Sequence, residues 1–148
     1  MSFQFPALSR PPARPERAPG LGREPATEEN LPTFIQGKPV DSKPEARVAI
    51  SLEILGWGYI YKASYYGGRT TPGGVEVDFL VLLPIVYSPL SVKSTYYHGI
   101  VRSGAKDVFD AARLHGIPGL GPLKEIWDYQ ARSIEQTVRT LEAMYGRA

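Results

Sequence analysis

Cysteine is absent from this chain of 148 residues. Its absence excludes a disulfide framework and metal sites built from thiolates. Long hydrophobic runs are also missing. No stretch approaches the roughly 18 apolar residues of a membrane span, and the N-terminus lacks the continuous apolar core of a signal peptide. We therefore expect a soluble protein without a membrane partner.

An excess of charge of one sign is also missing. The 17 basic and 15 acidic residues give a formal net charge of +2. This balance is too small to identify a polyanionic partner, although it is compatible with a local basic groove. Hydrophobic residues make up 43% of the chain, which at this length is enough for one packed core rather than two. We expect one domain with an appendage.

Proline is distributed unevenly along the chain. Nine of the 14 prolines fall in residues 1–44, and each of them removes a backbone donor and fixes φ. This composition predicts an extended proline-rich arm over residues 1–42 and one α/β domain over residues 43–148. Scattered apolar residues suit an arm that lies in grooves of another surface, whereas a disordered leader is the alternative. They are Phe3, Phe5, Leu8, Leu21, Leu31, Phe34 and Ile35.

The sequence of residues 43–148 predicts the order helix, three strands, helix, strand, helix. We call this part of the chain the body. Ser42 as N-cap, Pro44 in the first turn and Glu45 reaching back to the cap predict a helix over about 43–55, which Gly56 ends. The segments "WGYIYKASYY" and "VEVDFLVLL" form a hairpin around the glycine-rich "GGRTTPGG". Two further short strands are predicted for "LSVKS" and "LKEIW".

The second strand is apolar on both faces after Asp78, which is typical of a central strand that is covered on both sides. Simple alternation puts Val77, Phe79 and Val81 on one face and Leu80 and Leu82 on the other.

The two later helices each carry an apolar stripe. On the helix predicted over residues 104–114 the stripe is Ala105, Val108, Phe109 and Ala112. On the last helix it is Ile134, Val138, Leu141 and Tyr145, with Glu135 and Arg139 paired on the solvent side. We expect both stripes to face the core.

The order of elements, together with "LGW", "GGR", "VDFLV" and "YYHG", resembles the PD-(D/E)XK nuclease superfamily. The closest resemblance is to small nuclease-like domains akin to very-short-patch repair endonucleases. It covers roughly residues 45–128 and rests mainly on the order of elements and on "VDFLV". It implies a restriction-endonuclease-like mixed sheet of about four strands flanked by helices, in the order αβββαβα.

The resemblance also implies a catalytic site. The family pattern is an Asp on the second strand, Glu-x-Lys on the third and often a Glu from the first helix, which hold a divalent ion and activate water. Asp78 matches the Asp, Lys93 the lysine and Glu53 the helix acid. The Glu slot two residues before the lysine holds Ser91, a poor ligand for a hard cation. The implied Mg²⁺ site is therefore weak or absent.

Other residues compete for roles in that site. Glu76 lies two residues before Asp78 on the same face of the strand, so the predicted metal ligands are Asp78, Glu76 and Glu53. His98 in "YYHG" matches a histidine of this family branch and is a candidate general acid or base. The predicted catalytic residues are therefore Lys93, Asp78, Glu53 and His98. Three of these candidates also have an ordinary alternative. Glu76 is then a solvated carboxylate, Asp78 a carboxylate bonded to backbone amides, and His98 a histidine packed among tyrosines.

Two functions of different classes follow. In the first, a nuclease fold that has lost its chemistry is a structural or adaptor subunit of a large assembly such as a bacteriophage particle, and docks on other protein subunits through residues 1–44. In the second, the protein is a divalent-metal-dependent DNA endonuclease. We favour the first, because Ser91 removes a ligand and the arm supplies a means of attachment. Nucleic acid is a further partner class, and we expect the protein inside a cell or within a virus-like particle.

Overall fold

A computed structural model of the chain describes residues 25–95 and 105–146, with side chains from residue 108 onward in the second stretch. Predictions that concern residues 1–24 or His98 lie outside the described residues. Within these ranges, no helix is long and apolar enough to cross a membrane.

The described elements follow the predicted order behind a short N-terminal hairpin. They are β1 (Phe34–Ile35), β2 (Lys38–Pro39), α1 (Lys43–Leu55), β3 (Gly58–Tyr65), β4 (Val75–Leu82), β5 (Tyr87–Lys93), α2 (Ala105–Leu114), β6 (Lys124–Trp127), a 3₁₀ turn (Asp128–Gln130) and α3 (Ile134–Tyr145). The coarse fold class is confirmed: the protein is α/β, with a mixed four-stranded sheet and three helices.

The sheet has the order β3-β4-β5-β6. Strand β4 is antiparallel to β3 and β5, whereas β6 is parallel to β5. A parallel neighbour requires a crossover connection, and α2 lies within that connection. The mixed character of the sheet therefore follows from the helix between its last two strands.

Helix α1 has the ends that the sequence predicts. The hydroxyl of Ser42 accepts a hydrogen bond from the Glu45 N–H at 3.3 Å. At the other end Gly56 adopts φ 78°, a left-handed conformation that glycine takes without strain, and its N–H bonds back to the carbonyl of Glu53. The Glu45 carboxylate does not reach back to the cap; it accepts a hydrogen bond from the Tyr61 hydroxyl on β3.

Apolar side chains form two clusters. The larger one packs α1 and α3 against the sheet, and its buried members include Val48, Leu52, Phe79, Val81, Leu90, Ile126 and Leu141. The smaller one contains Leu114 of α2 together with Ala63, Val75, Val77 and Leu80. The sheet is thus covered on both sides, as its apolar strand β4 predicts.

The prediction that Val77 shares a face with Phe79 and Val81 is wrong, because Val77 belongs to the smaller cluster. Tyr61 pairs with Phe79 and Ala63 pairs with Val77, so Lys62 and Asp78 lie between these two pairs. Lys62 has φ 57°. A left-handed residue turns the strand and breaks the two-residue alternation at this point.

The predicted orientation of α2 is also wrong. Val108 is 69% exposed, Phe109 is 47% exposed, and Ala112 is exposed as well. Among the described side chains of this helix, those of residues 108–114, the buried ones are instead Asp110 and Leu114. The apolar stripe of α2 therefore points away from the sheet, whereas Leu141 of α3 is buried in the core as predicted.

Residues 25–42 pack against the body. Ile35 is 4% exposed within the larger cluster. Glu28 accepts hydrogen bonds from Arg47 of α1 and from the backbone N–H of Ile134 at the start of α3. The predicted boundary at residue 42 thus falls after a segment that is already attached to the body.

The hairpin of β1 and β2 covers the edge of the sheet. Gln36 and Gly37 have φ values of 52° and 82°, the pattern of a two-residue turn of type I′. The Gln36 carboxamide donates to the Tyr59 carbonyl at 2.9 Å and accepts from the Tyr61 N–H at 2.7 Å, as a neighbouring strand would. Backbone groups of an edge strand are thereby paired within the chain.

We predict that two N-terminal deletions differ in stability. Removal of residues 2–24 should lower the free energy of unfolding by less than about 1 kcal/mol. Removal of residues 2–40 should lower it by about 3 kcal/mol or more, because Ile35 leaves the core and β3 loses its bonds to Gln36. Urea unfolding followed by tryptophan fluorescence measures both.

Single substitutions provide the matched controls. Ile35→Ala should reproduce most of the loss seen on removal of residues 2–40, whereas Phe34→Ala, at the exposed neighbouring position, should change little. Equal stability of the two deletions would show that residues 25–40 are not part of the folded body.

Candidate functional site

Asp78 lies where two strands of the sheet separate. The register of β4 and β5 runs from Leu82 opposite Tyr87 to Phe79 opposite Leu90. One residue further along β4, the Asp78 carboxylate accepts a hydrogen bond of 2.7 Å from the backbone N–H of Val92 on β5. The side chain thus pairs a strand N–H at the end of the ladder.

Burial raises the pKa of Asp78 above its ordinary value. The hydrogen bond from Val92 and the positive charges of Lys62 and Lys93 oppose this rise, and the negative charge of Glu76 adds to it. The surroundings of Asp78 are therefore mixed in charge, with burial as the largest effect.

Glu45 is the helix acid that lies near Asp78. It is 6% exposed at the start of α1, and its carboxylate accepts a hydrogen bond from Tyr61. Burial raises the pKa of Glu45, and the negative charge of Asp78 raises it further. Burial and the bond to Glu45 also raise the pKa of the Tyr61 phenol. Two carboxylates thus share one partly buried region.

The sequence pattern assigns Glu45 to the helix cap, whereas in the structure its carboxylate bonds to Tyr61. A signal was available, because Glu45 is four and seven residues before Ala49 and Leu52, which are both buried core residues. Residues at this spacing share one face of a helix. An acid on the buried stripe of a helix indicates a polar partner inside the fold.

Lys62 faces the two acids from β3. Its ammonium forms an ion pair with Asp41, in the segment between β2 and α1. Burial alone would lower the pKa of Lys62, but the hydrogen bond to Asp41 and the charge of Glu45 outweigh it and leave the pKa raised. The nearby ammonium of Lys38 donates to the backbone carbonyls of Tyr61 and Lys62.

An open cleft of about 420 Å³ adjoins this cluster at the glycine-rich connection between β3 and β4. Its lining residues are Asp41, Lys62, Ser64, Gly67, Gly68, Arg69, Thr70 and Glu76. The charges form two pairs, since Lys62 bonds to Asp41 and Arg69 donates to Glu76 at 2.8 Å. Because these charges balance, the cleft carries no large excess of either sign.

The predicted site residues are only partly brought together. Glu76 and Lys93 both act electrostatically on Asp78. Glu53 instead accepts a hydrogen bond of 2.7 Å from Tyr59. Eight residues of helix separate it from Glu45, a rise of about 12 Å. The structure therefore brings Glu45, rather than Glu53, beside Asp78.

Strand β5 carries Ser91 and Lys93, the remainder of the expected motif. Leu90 is buried in the larger cluster and Val92 packs against it, so alternation directs Ser91 and Lys93 to the other face of β5. Lys93 is 5% exposed. On β6, Glu125 is the registered neighbour of Ser91. The charge of Lys93 therefore acts on Asp78 from the face of β5 that lies opposite the larger cluster.

In residues 25–95 and 108–146, no group of three or more acidic or histidine side chains converges as a metal site. The carboxylates best placed to hold a cation are those of Asp78 and Glu45. Each already has a hydrogen-bond donor, Val92 and Tyr61 respectively. Magnesium bound there would need waters or phosphate oxygens for most of its coordination.

Comparison of the chain with protein-family models, with curated proteins and with solved structures gives no match. The resemblance to PD-(D/E)XK nucleases therefore stays a prediction from the sequence, and the residue roles that it implies stay predictions as well.

We predict that Glu45→Gln weakens the pH dependence of stability. The folded-state pKa of Glu45 is raised, so the folded protein holds this proton more strongly than the unfolded chain does. Its contribution to stability should therefore fall as pH rises from the ordinary pKa of 4.5 through the folded pKa. The variant keeps an acceptor for Tyr61 and should be at least as stable as the wild type at pH 7.

Urea unfolding between pH 4 and pH 8 measures the effect, and Glu53→Gln is the matched control because Glu53 is exposed. That control should leave the pH profile unchanged. A loss of stability at pH 7 in Glu45→Gln would mean that the ionised carboxylate stabilises the fold, contrary to the argument from burial.

Proposed function

We propose that this protein is a structural or adaptor subunit of a large assembly, built on a restriction-endonuclease-like core that no longer hydrolyses DNA. The observation that carries the proposal is the hydrogen bond between the Asp78 carboxylate and the Val92 N–H. It gives the residue at the centre of the expected catalytic motif a part in holding the sheet together.

The other acids of this region support the same conclusion. Glu45 bonds to Tyr61, Glu76 to Arg69 and Glu53 to Tyr59. A cation that takes one of these oxygens must compete with a hydrogen bond that is already formed. Such carboxylates suit a structural network better than a site that exchanges metal and substrate.

Ser91 supports the loss of chemistry independently. It occupies the position at which the family pattern needs a carboxylate, and a neutral hydroxyl binds a hard cation poorly. Its registered neighbour Glu125 lies on the adjacent strand and is exposed. We therefore assign no metal ligand to β5.

The N-terminal segment supplies the means of attachment. Residues 25–42 are fixed to the body through Glu28 and Ile35. The preceding 24 residues, with their prolines and the apolar Phe3, Phe5 and Leu8, are thus joined to the body at a fixed point. A pre-extended chain of this composition loses little entropy on docking and can reach neighbouring subunits, as in a bacteriophage particle.

A magnesium-dependent DNA endonuclease is the second candidate. It is favoured by the charge of Lys93, which acts on Asp78, and by the second carboxylate of Glu45. Magnesium often uses only one or two carboxylates and completes its shell with waters and substrate phosphates. In this function Lys93 would activate water, and the exposed Arg69 would contact the nucleic-acid backbone.

We predict that Asp78→Ala destabilises the protein by about 1–3 kcal/mol, because the Val92 N–H loses its acceptor at a half-buried position. Asp78→Asn retains an acceptor oxygen and should keep most of the stability. Neither variant should alter DNA cleavage, since we expect purified wild-type protein to give none with magnesium or manganese. Urea unfolding and a plasmid-nicking assay provide the two readouts.

Catalytic carboxylates behave differently on replacement, because active sites often sacrifice stability for function. An Asp78→Ala variant as stable as the wild type, or wild-type cleavage that both variants abolish, would favour the endonuclease instead.

We predict that deletion of residues 2–24 prevents assembly. In an extract of the native source, the full chain should sediment far ahead of a free monomer, whereas the deleted chain should remain at the monomer position. Substitution of Arg10, Arg14, Arg17 and Arg23 by glutamine is the matched variant. It distinguishes attachment through charged residues, which salt weakens, from attachment through apolar residues. Unchanged sedimentation of the deletion variant would contradict docking through this segment.

A further inference from the structure

Helix α2 exposes the side that its sequence would bury. Val108, Phe109 and Ala112 face away from the sheet, while Leu114 packs in the smaller cluster and Asp110 is buried. Exposed apolar residues are ordinary when they are single, but a contiguous group of them marks a binding surface.

The surface extends from α2 onto the β3–β4 connection. The Arg113 guanidinium lies 4.0 Å from the centre of the Tyr66 ring, and its Nε donates to the Gly73 carbonyl at 3.0 Å. Phe109 precedes Arg113 by one helical turn, on the same side of α2. We call Tyr66, Val108, Phe109 and Ala112 the α2 patch.

Arg113 makes the α2 patch a fixed platform, because it ties the helix to the connection at two points. Aromatic side chains beside an arginine are also the composition that is enriched where proteins bind protein segments. The four described side chains of the patch are uncharged, which favours an apolar ligand over a charged one.

The size of the patch decides between a second copy and a tethered segment. Four partly exposed side chains present roughly 350 Å², well below the ~800 Å² per partner of a stable dimer. A segment of the same chain needs far less area, since tethering gives it an effective concentration in the millimolar range. The small area therefore favours a segment that is covalently attached.

The part of the chain before residue 25 is long enough and apolar enough to be that segment. Leu8 is 17 residues before Pro25, which in an extended proline-rich chain spans about 50 Å. A body of this size is about 35 Å across. The segment can therefore reach the α2 patch from its attachment point near α1 and α3.

We propose that the α2 patch binds residues 3–8 of the same chain, with sequence "FQFPAL". Phe3, Phe5 and Leu8 supply three apolar anchors for the exposed Val108 and Phe109. Proline at position 6 holds the segment extended, so that less entropy is lost on binding. The proposed function uses the same residues for docking, so this interaction is a property of the free chain, before Phe3, Phe5 and Leu8 contact a neighbouring subunit.

The test places a photoreactive benzoylphenylalanine at position 109 of the full chain. Irradiation should produce a crosslink to residues 1–24, identified by mass spectrometry. A mixture of ¹⁴N- and ¹⁵N-labelled protein should show that the crosslink joins residues of one chain. The same probe at Ile54, an exposed apolar position on α1, is the control and should not react with residues 1–24.

A triple variant, Phe3→Ser, Phe5→Ser and Leu8→Ser, should lose the crosslink, and its stability should match that of the chain without residues 2–24, because both lose the same contact. In hydroxyl-radical footprinting of protein without the probe, the same variant should increase oxidation of Phe109. Crosslinks to a second copy or only to residues after 24 would overturn the proposal. It would also fail if the triple variant left both crosslinking and Phe109 oxidation unchanged.

Discussion

The separation of β4 from β5 at Asp78 is the constraint on which the candidate site depends. Beyond the pair of Phe79 and Leu90 the backbone ladder gives way to a side-chain acceptor, the Asp78 carboxylate on the Val92 N–H. On the other side of β4, the left-handed Lys62 turns β3 at the same level. Both changes lie where Glu45 and Lys62 meet Asp78, and β3 and β4 stay paired on either side of Lys62.

A group of charges in this position can have a structural or a catalytic role. Its hydrogen-bond partners distinguish these two roles. Burial raises the pKa values of Asp78 and Glu45, so ionising either acid costs free energy in the folded protein. Donors from Val92 and Tyr61 offset part of that cost. A closed network of this kind lowers the benefit that a metal ion would bring.

The element order and the ends of α1 could be read from the sequence because they depend on local signals. Ser42 and Gly56 act within one turn of the helix that they bound, and the strands show their own apolar patterns. Glu45 was misassigned because an acid at this position can bond either to the helix cap or to a buried donor. Only the tertiary fold shows that Tyr61 takes the carboxylate.

The face of Val77 and the orientation of α2 could not be read in this way. A positive φ at Lys62, a residue with no glycine-like preference, leaves no trace in the periodicity of the sequence. Helix α2 shows a clear apolar stripe, but periodicity identifies a stripe and not the surface that covers it. The proline-rich composition likewise concealed that Ile35 and Gln36 belong to the body.

Nuclear magnetic resonance of the side-chain carboxyl carbons, with magnesium added in steps, tests most directly whether these acids are structural. If Asp78 and Glu45 are held by Val92 and Tyr61, their carboxyl signals should stay in place at millimolar magnesium, and only exposed acids such as Glu135 should show weak, unsaturated shifts. A saturable shift of the Asp78 and Glu45 signals together would contradict this and identify a working metal site.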